Sequence, residues 1–211
     1  MRDFILTFII NNVIFNKISN LKMKQLVQIL GYKIIITPFL KSETNLVFNW
    51  RNSIDYQNLC SCRKYSVSYS EFVEEIKNDF LHDRHEQYII KKKTKLLPIG
   101  TIFSYNYNKI QKNIFITTFI DTAYRNSIYG AESHILMLYQ LFQRFDICKI
   151  YADVYIFNIH SINTLLNGGY LIESVFKKQN SDFVICRFYI TKDIFYKKFK
   201  VFIENYKILP F

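Results

Sequence analysis

The sequence predicts an α/β domain built around a mixed sheet with helices on its faces. Three observations lead to this fold class. Segments rich in β-branched and aromatic residues alternate with helical segments in the order strand, two helices, three strands, helix, strand, helix, two strands. Residues 114–120 are a nearly continuous run of Ile, Phe and Thr, which is typical of a strand buried on both faces. The helical segment that follows has an apolar stripe wide enough to lie on a sheet.

The composition indicates one domain with a sizeable core. Half of the 211 residues are hydrophobic, and five Gly and three Pro leave little material for linkers. Residues 1–31 are interpreted as an N-terminal extension, and residues 32–211 as the domain. The apolar residues 1–15 are too short to span a membrane and lack a cleavage site, so we expect a cytoplasmic protein without a membrane span.

The net charge of +11 favours an anionic partner, which includes nucleic acid, an anionic membrane and an anionic small molecule. The lysines lie in short runs, one of them at residues 91–93, and a solvated face is the usual meaning of such a run. No recognised nucleic-acid motif is present, so we do not expect a nucleic-acid partner. The sequence leaves a homodimer open.

The four cysteines do not follow a metal-binding pattern. Cys60 and Cys62 lack a second pair at ligand spacing, and Cys148 and Cys186 stand far apart. We therefore expect reduced thiols and no metal.

The first half of the domain reads as a strand, two helices and three strands. Residues 33–39 are a strand by their β-branched run, and the apolar positions of residues 46–50 predict a helix that ends near residue 52. Residues 53–67 mix polar and aromatic side chains without a period, which predicts a loop. A capping box at residues 68–71 predicts the start of the second helix. The three strands are predicted at residues 87–90, 99–107 and 113–120.

The second half begins with a turn and a helix that starts near Ala131. The apolar stripe of that helix consists of Ile135, Leu138, Phe142 and Phe145. A strand at residues 149–157 follows, and Asn158 can cap a short helix that two glycines end at residues 168 and 169. Two strands and an amphipathic helix are predicted at residues 170–176, 183–189 and 191–206.

The turn before the central helix favours a phosphate. A strand that ends in such a turn points the first free N–H groups of the helix, and the positive end of its dipole, at one spot. The alternative is an ordinary strand–turn–helix unit without a ligand.

Two segments in this half resemble a known family. Residues 124–132, which read YRNSIYGAE, resemble the loop with which the GNAT superfamily of N-acetyltransferases holds the pyrophosphate of acetyl-CoA. Residues 158–173, with Asn and Ser at the start and Gly-Tyr and Glu at the end, are similar to a second motif of that superfamily at matching spacing. Residues 50–52 resemble its ribosomal-protein and amino-sugar acetyltransferase branch. The resemblance covers about residues 33–190.

The resemblance implies a GNAT-like, mostly antiparallel sheet that splays open at its centre to admit the pantetheine arm. It also implies acetyl-CoA as co-substrate and an amine as acceptor. Carried over residue by residue, the positions that bind acetyl-CoA are Phe119, Ile120, Arg125, Asn126, Ser127, Tyr129, Gly130, Ala131, Asn158 and Ser161. The positions that bind the acceptor are Trp50, Arg51 and Asn52.

The candidate catalytic residues are Glu173, Tyr170 and Asp121. Glu173 aligns with a frequent acid of the superfamily, although a solvent-facing strand Glu explains it equally well. Asp121 ends the central strand and can be a turn residue. Tyr170 is a candidate because Leu165 stands where many members have the Tyr that protonates the coenzyme thiolate. Two further acid–base side chains, Glu132 and His134, lie in the first turns of the helix, where an acid more often stabilises the helix start.

A second departure from the superfamily pattern is Ile128, which stands at the first Gly of the loop. A β-branched residue does not readily adopt a positive φ, so in a loop of the family form its side chain must point away from the ligand. Three functions are therefore carried forward. The first is an N-acetyltransferase acting on a nucleotide-linked amino sugar, the second an acetyltransferase of protein N-termini or other macromolecular amines, and the third a GNAT-fold binding protein without catalysis.

Overall fold

The computed structural model describes residues 28–60, 65–81, 85–178 and 182–205. Most of the predicted N-terminal extension lies outside these residues, and so do Cys62 and residue 206, the predicted end of the C-terminal helix. The last residues assigned to the extension, Ile29–Leu30, already form the first strand of the sheet. The boundary at residue 32 stays a prediction.

One sheet contains eight strands, which run β1 (Ile29–Leu30), β2 (Ile34–Pro38), β3 (His85–Lys92), β4 (Leu97–Asn108), β5 (Asn113–Ile120), β6 (Lys149–Tyr155), β7 (Leu171–Lys177) and β8 (Val184–Thr191). Their spatial order is β1-β2-β3-β4-β5-β6-β8-β7. Only β5 and β6 pair in parallel, and every other neighbouring pair is antiparallel. This confirms the predicted mixed, mostly antiparallel sheet.

Among the described residues, six helices flank the sheet, and they are α1 (Thr44–Arg51), α2 (Ile54–Leu59), α3 (Tyr69–Leu81), α4 (Ile128–Arg144), α5 (Ile159–Asn167) and α6 (Lys192–Asn205). Side chains alternate across a strand, so neighbouring residues of β5 belong to different layers. Ile116 packs in the core that includes α4 and α6, whereas Phe119 packs in the core that includes α1, α2 and α3. The helices therefore cover the sheet on both faces.

The pairing between β5 and β6 is short. It consists of three residue pairs, Asn113–Lys149, Ile114–Ile150 and Phe115–Tyr151. Beyond Phe115 the two strands diverge, while β5 stays paired with β4 as far as Ile120. The gap between residues 116–120 and residues 152–155 is called the wedge below. The wedge confirms the splayed sheet.

The predicted loop at residues 53–67 was wrong in its first part, because α2 lies there. The Ser53 hydroxyl accepts the N–H of Tyr56 at 3.2 Å and thereby caps the helix start. A helix of six residues is too short to show a period in the sequence. Its single buried side chain, Tyr56, contacts the ring of Phe119 with a centroid distance of 5.1 Å, so a long-range contact stabilises it.

The predicted capping box of α3 is present. The Ser68 hydroxyl accepts the N–H of Glu71 at 3.2 Å, and the Glu71 carboxylate accepts the N–H of Ser68 at 2.7 Å. None of the helices among the residues that the structure describes is both long enough and apolar enough to cross a membrane.

Candidate active site

The turn between β5 and α4 differs from its predicted form. The helix begins at Ile128, three residues earlier than predicted, and Ser127 is its N-cap. The positive φ in the turn belongs to Asn126, at 56°, which is a residue type that tolerates the left-handed region. Ile128 is therefore a helical residue, and no positive φ is needed there. Its side chain is 51% exposed.

The start of α4 offers backbone donors. The Ser127 hydroxyl caps the N–H of Tyr129 at 3.4 Å. In the described parts of the chain, the N–H groups of Ile128 and Gly130 have no hydrogen-bond partner, as expected for the first turn of a helix. Ala131 is the fourth helical residue, and its N–H belongs to the first intrahelical hydrogen bond, with the carbonyl of the N-cap Ser127. Two free donors at the positive end of the dipole of a 17-residue helix favour an anion.

The Arg125 side chain extends from the turn toward the end of β5 and toward α2. Its Nε donates to the carbonyl of Ile120 at 3.1 Å, and its Nη1 lies 3.4 Å from a carboxylate oxygen of Asp55 on α2. The guanidinium carbon is 5.7 Å from the ring centroid of Phe119. The Nη2 atom is buried and has no protein partner among the described residues. Arg125 thus ties the turn to α2 and keeps one donor free.

Asp55 was not singled out from the sequence. Its carboxylate accepts the Thr122 hydroxyl and also pairs with Arg125. The hydrogen bond from Thr122, together with the charge of Arg125, holds the pKa of Asp55 below its ordinary value. Asp55 lay in the predicted loop, and no local pattern distinguishes it from a surface acid.

Lys92 is a second residue that the sequence did not single out. Its Nζ lies 5.7 Å from the ring centroid of Tyr124 and 5.6 Å from that of Tyr129, on either side of the turn. Its neighbours have other roles, since Lys91 pairs with Glu43 at 2.6 Å and Lys93 donates to a backbone carbonyl. All three lysines of the run have contacts within the domain, and Lys92 reaches the turn because β3 ends beside it. The run is therefore more than a solvated face.

Asp121 holds the end of β5 in contact with α1 through its two carboxylate oxygens. One carboxylate oxygen accepts the indole N–H of Trp50 at 2.9 Å, and the other accepts the N–H of Ala123 at 3.1 Å. Asp121 therefore joins α1 to the end of β5 and caps the short 3-10 turn Thr122–Tyr124. Both oxygens are occupied, which favours a positioning role over that of a general base.

We expect Asp121→Asn to keep most of the catalytic rate of the site and Asp121→Ala to lower that rate. The amide oxygen of Asn can still accept from Trp50 or from Ala123, whereas a general base replaced by Asn loses about 10²–10⁴-fold in rate. Trp50 is the sole tryptophan of the chain, so its fluorescence reports on this contact directly. A hundredfold loss in Asp121→Asn with unchanged fluorescence would contradict the positioning role.

The other two predicted acceptor residues have partners within the domain. Arg51 pairs with Glu75 on α3 at 3.0 Å. Asn52 donates to the carbonyl of Val67 and accepts its N–H, both at 2.9 Å, and so closes the segment that contains α2. These contacts give Arg51 and Asn52 structural roles, and their contact with an acceptor stays a prediction.

Three side chains form a hydrogen-bonded row on the α4 side of the sheet. The Nδ1 of His134 lies 3.0 Å from the hydroxyl of Thr118, and its Nε2 lies 2.8 Å from the hydroxyl of Tyr170. Tyr170 is 3% exposed, and burial raises its pKa. Its N–H donates to the carbonyl of Leu165 at 3.0 Å, and the Leu165 side chain is buried in the core. The backbone of Tyr170 is thus joined to that of Leu165, the position that lacks a phenol.

Burial lowers the pKa of His134 to about 4, below its ordinary value of 6.5. Between these values the unfolded chain binds more protons, so the stability that His134 contributes is full above pH 6.5 and falls as the pH drops toward 4. We expect a loss of up to about 3 kcal/mol over this range. Urea unfolding at several pH values should show a smaller loss in His134→Gln, and no change in slope in the control His160→Gln, whose imidazole is exposed.

Glu173 lies on the other face of the sheet. Its carboxylate accepts the Tyr151 hydroxyl at 2.8 Å and lies 3.6 Å from Nζ of Lys149. The three candidate catalytic residues are therefore not brought together: Tyr170 is on the α4 side, Glu173 on the opposite face and Asp121 at the end of β5. Their catalytic roles stay predictions.

The face that carries Glu173 is lined with rings and cations. Its rings form a row from Tyr105 through Phe115 and Tyr151 to Tyr189, with centroid distances of 5.5, 5.0 and 6.3 Å. Arg187 lies over Phe115 at 4.8 Å. This aromatic row crosses the sheet at the closed end of the wedge, since Phe115 and Tyr151 are the last paired residues of β5 and β6.

Asn158 and Ser161, two residues predicted to contact acetyl-CoA, lie at the start of α5, and their contact with the coenzyme stays a prediction. The Asn158 side chain accepts the N–H of Ser161 at 3.2 Å, which confirms its role as N-cap.

Within the described ranges, no group of three His, Cys, Asp or Glu side chains could hold a metal ion. Cys60, Cys148 and Cys186 are free thiols.

Comparison with known proteins places this architecture. No sequence model of a protein family matches the chain, and no curated protein matches it by sequence. Several solved structures match the chain by their fold. The ribosomal L7/L12 α-N-protein acetyltransferase RimL in complex with coenzyme A has a TM-score of 0.69 and 15% identity, and the match covers 80% of this chain and 99% of that one.

The spermidine N-acetyltransferase of Vibrio cholerae in complex with CoA and spermine has a TM-score of 0.69 and 16% identity, over 78% of this chain and 99% of that one. The Salmonella typhimurium enzyme that modifies the N-terminal serine of L7/L12 has a TM-score of 0.67 and 13% identity, over 78% and 99%. The chain therefore has the GNAT fold, which confirms the fold that the two sequence motifs implied.

Proposed function

We propose that the protein transfers an acetyl group from acetyl-CoA to a primary amine. The observation that carries this proposal is the wedge with the start of α4 nearby, since the carbonyl of Ile120 at the end of β5 is tied to the turn before that helix. A pantetheine arm fits a gap between strands, and a pyrophosphate fits free N–H groups at a helix start. The likeness to two acetyltransferases solved with CoA supports the same assignment.

The residues present fit a bound pyrophosphate. The free donors are the N–H groups of Ile128 and Gly130, with Lys92 close to the two tyrosines that flank the turn. We propose that these groups bind the phosphates, while Arg125 holds the turn against α2.

Transfer of an acetyl group requires a neutral amine, a polarised carbonyl and a proton for the departing thiolate. Holding the amine and the thioester in line supplies a large part of the rate. We propose that the Trp50–Asp121 contact fixes the end of β5, because it joins α1 to that strand end beside the turn.

For the acceptor we propose a nucleotide-linked amino sugar. The aromatic row offers ring faces for a base, and Arg187 and Lys149 lie beside those rings, where they pair with Asp153 and Glu173 and can also contact a diphosphate. A polyamine is disfavoured by the net charge of +11 of the whole chain.

A protein N-terminus is the second candidate acceptor, and the likeness to RimL favours it. A binding protein without catalysis is the third reading, favoured by Leu165 at the position of the superfamily's tyrosine. The three candidate functions differ in which acceptor, if any, causes the release of free CoA from acetyl-CoA.

Two measurements separate these readings. Calorimetry with CoA tests the binding site, and a thiol-release assay with amino-sugar nucleotides, N-terminal peptides and polyamines tests the acceptor. We expect CoA binding and thiol release with an amino-sugar nucleotide. Release with peptides alone would replace the acceptor, binding without release would favour the binding protein, and no CoA binding at millimolar concentration would refute the proposed function.

A further inference from the structure

The two faces of the wedge differ in what they offer an acceptor. Ile116, Ala152 and Val154 are buried in the core that includes α4, so that face offers no path to the gap. Side chains alternate along a strand, so residues 117 and 119 of β5 and residues 153 and 155 of β6 line the opposite face. An amine that attacks a thioester held in the wedge must therefore pass these four side chains.

Asp153 is the one charged side chain among the four. Phe119 is apolar, and Tyr155 is 6% exposed. The Thr117 hydroxyl bonds to that of Tyr105, and burial raises the pKa of Tyr105 to about 12, so both hydroxyls are neutral. The face from which an acceptor approaches thus presents a single carboxylate at the edge of the wedge.

Asp153 lies toward the closed end of the wedge. It stands two residues after Tyr151, the last residue of β6 that pairs with β5, and its side chain is 21% exposed. The proposed phosphate site is at the other end, where β5 leads into the turn before α4. The pyrophosphate and the thioester of acetyl-CoA are at opposite ends of the pantetheine arm. An arm that starts at the turn and follows the wedge therefore brings its thioester toward Asp153.

Arg187 fixes the orientation of the Asp153 carboxylate. Its Nε and Nη2 donate to the two oxygens at 2.8 and 2.7 Å. The guanidinium carbon is 4.8 Å from the ring centroid of Phe115 and 5.0 Å from that of Phe176, so the guanidinium is held between two rings. A carboxylate has about four acceptor positions, and the guanidinium takes two of them. The remaining positions can accept N–H groups from a ligand.

We propose that Asp153 binds the amino group of the acceptor beside the thioester, with Arg187 as a positioning residue. This inference rests on the proposed function. A nitrogen that donates a hydrogen to the carboxylate has a fixed position, and in its neutral form it keeps its lone pair for the acetyl carbon. The contact also selects acceptors, because an amino group that carries charge bonds more strongly to a carboxylate than a neutral hydroxyl does.

Two other carboxylates near this face occupy different places. Asp121 stands after the end of β5, where it binds Trp50 and Ala123. Glu173 is on β7, which β8 and β6 separate from the wedge, and it binds the Tyr151 hydroxyl. Neither borders the gap near its closed end, so neither can replace Asp153 in the proposed contact.

A purely structural role of Asp153 predicts a different result. Asp153 and Arg187 are directly opposite in the pairing of β6 with β8, and such an ion pair can simply hold two strands together. Loss of a strand contact would weaken the binding of every acceptor alike. An acceptor-binding carboxylate instead distinguishes ligands that have an amino group from ligands that lack one.

Calorimetry with two matched ligands tests the proposal on the full chain saturated with CoA. The ligands are a uridine diphosphate sugar with a primary amine and the same sugar nucleotide with a hydroxyl at that carbon. We expect the wild type to prefer the amine by about tenfold or more, and Asp153→Asn to reduce this preference to about twofold or less. The affinities of Asp153→Asn for CoA and for the hydroxyl ligand should stay within about threefold of the wild type.

Two further variants complete the test. Asp146→Asn removes an exposed carboxylate that pairs with Lys112 at 2.8 Å, and as the control it should keep the full preference. Asp153→Asn leaves the half-buried Arg187 without its counterion, so the double variant with Arg187→Gln is measured beside it, since two amides can bond across the strands without charge. We expect the double variant to lose the preference as well.

The possible results separate this inference from the proposed function. An amine preference that survives in Asp153→Asn or in the double variant would overturn the proposal. Equal losses for both ligands would also overturn it, because they would indicate a role in strand pairing alone. A wild-type protein that binds CoA without preferring the amine would overturn it and leave the coenzyme site in place. A wild-type protein that does not bind CoA would refute the proposed function itself.

Discussion

Replacing Ser127 by Asp is expected to weaken CoA binding by about ten- to hundredfold while leaving the fold intact. Asp is as good an N-cap as Ser, so its carboxylate can cap the N–H of Tyr129 and stabilise the helix start. The same negative charge would stand beside the free N–H groups at which we place the pyrophosphate. Repulsion between charges a few Å apart near a protein surface is about 2–3 kcal/mol, and this sets the expected loss.

Ser127→Asn is the matched control, because Asn has the shape of Asp, caps helices equally well and carries no charge. Calorimetry with CoA and thermal unfolding of both variants give the result. We expect equal melting temperatures and an affinity loss in the Asp variant alone. Equal affinities for the two variants would show that no phosphate lies at this helix start.

Glu132→Ala is expected to destabilise the protein by about 2–4 kcal/mol. The Glu132 carboxylate is 1% exposed and accepts the backbone N–H groups of Tyr32 and of Lys33, the latter at 3.0 Å. Removing it leaves two donors in the turn between β1 and β2 without their acceptor, and each loss of a charge-assisted hydrogen bond costs about 1.5–3 kcal/mol. Tyr32 is 71% exposed, so water replaces part of what is lost there and keeps the total at about 2–4 kcal/mol. Urea unfolding measures the difference.

Glu132→Gln is the control for this prediction, since its amide oxygen keeps one acceptor in the same place. We expect a smaller loss of stability in this variant and acetyl transfer close to that of the wild type. Gly31→Ala should reproduce much of the destabilisation, because a Cβ at residue 31 would meet the Glu132 carboxylate and approach Leu136 Cδ1 to 2.9 Å. A large loss of activity in a stable Glu132→Gln protein would instead indicate a general base.

Local patterns predicted the parts of this fold that local physics controls. The strand at residues 113–120 has its predicted bounds, and the caps at Ser68 and Asn158 are in place, because a cap depends only on residues within one turn of the helix. The two motifs added the splay of the sheet, which periodicity does not show.

Contacts between distant segments were not predictable in this way. Glu132 contacts Lys33, 99 positions earlier in the chain, and its location in the first helical turn suggested only a favourable interaction with the helix dipole. His134 and Tyr170 are 36 positions apart, and Lys92 reaches the turn only because β3 ends beside it. Each of these residues has an ordinary local setting, so a single sequence gives no signal for it.

The start of α4 was misplaced for a related reason. A Gly in the aligned motif drew attention to residue 128, whereas the left-handed backbone conformation moved to Asn126 and the cap to Ser127. Asn tolerates that conformation, so the turn needs no Gly at residue 128.

The divergence of β5 from β6 has a consequence for how specificity is encoded. Along residues 116–120 the backbone of β5 has a strand neighbour on one side only, so peptide groups that face the wedge lack a partner strand. An elongated ligand that carries its own amides can pair with them as a surrogate strand. Recognition of that kind depends on main-chain geometry rather than on side chains, so it places few constraints on the amino acids at residues 116–120.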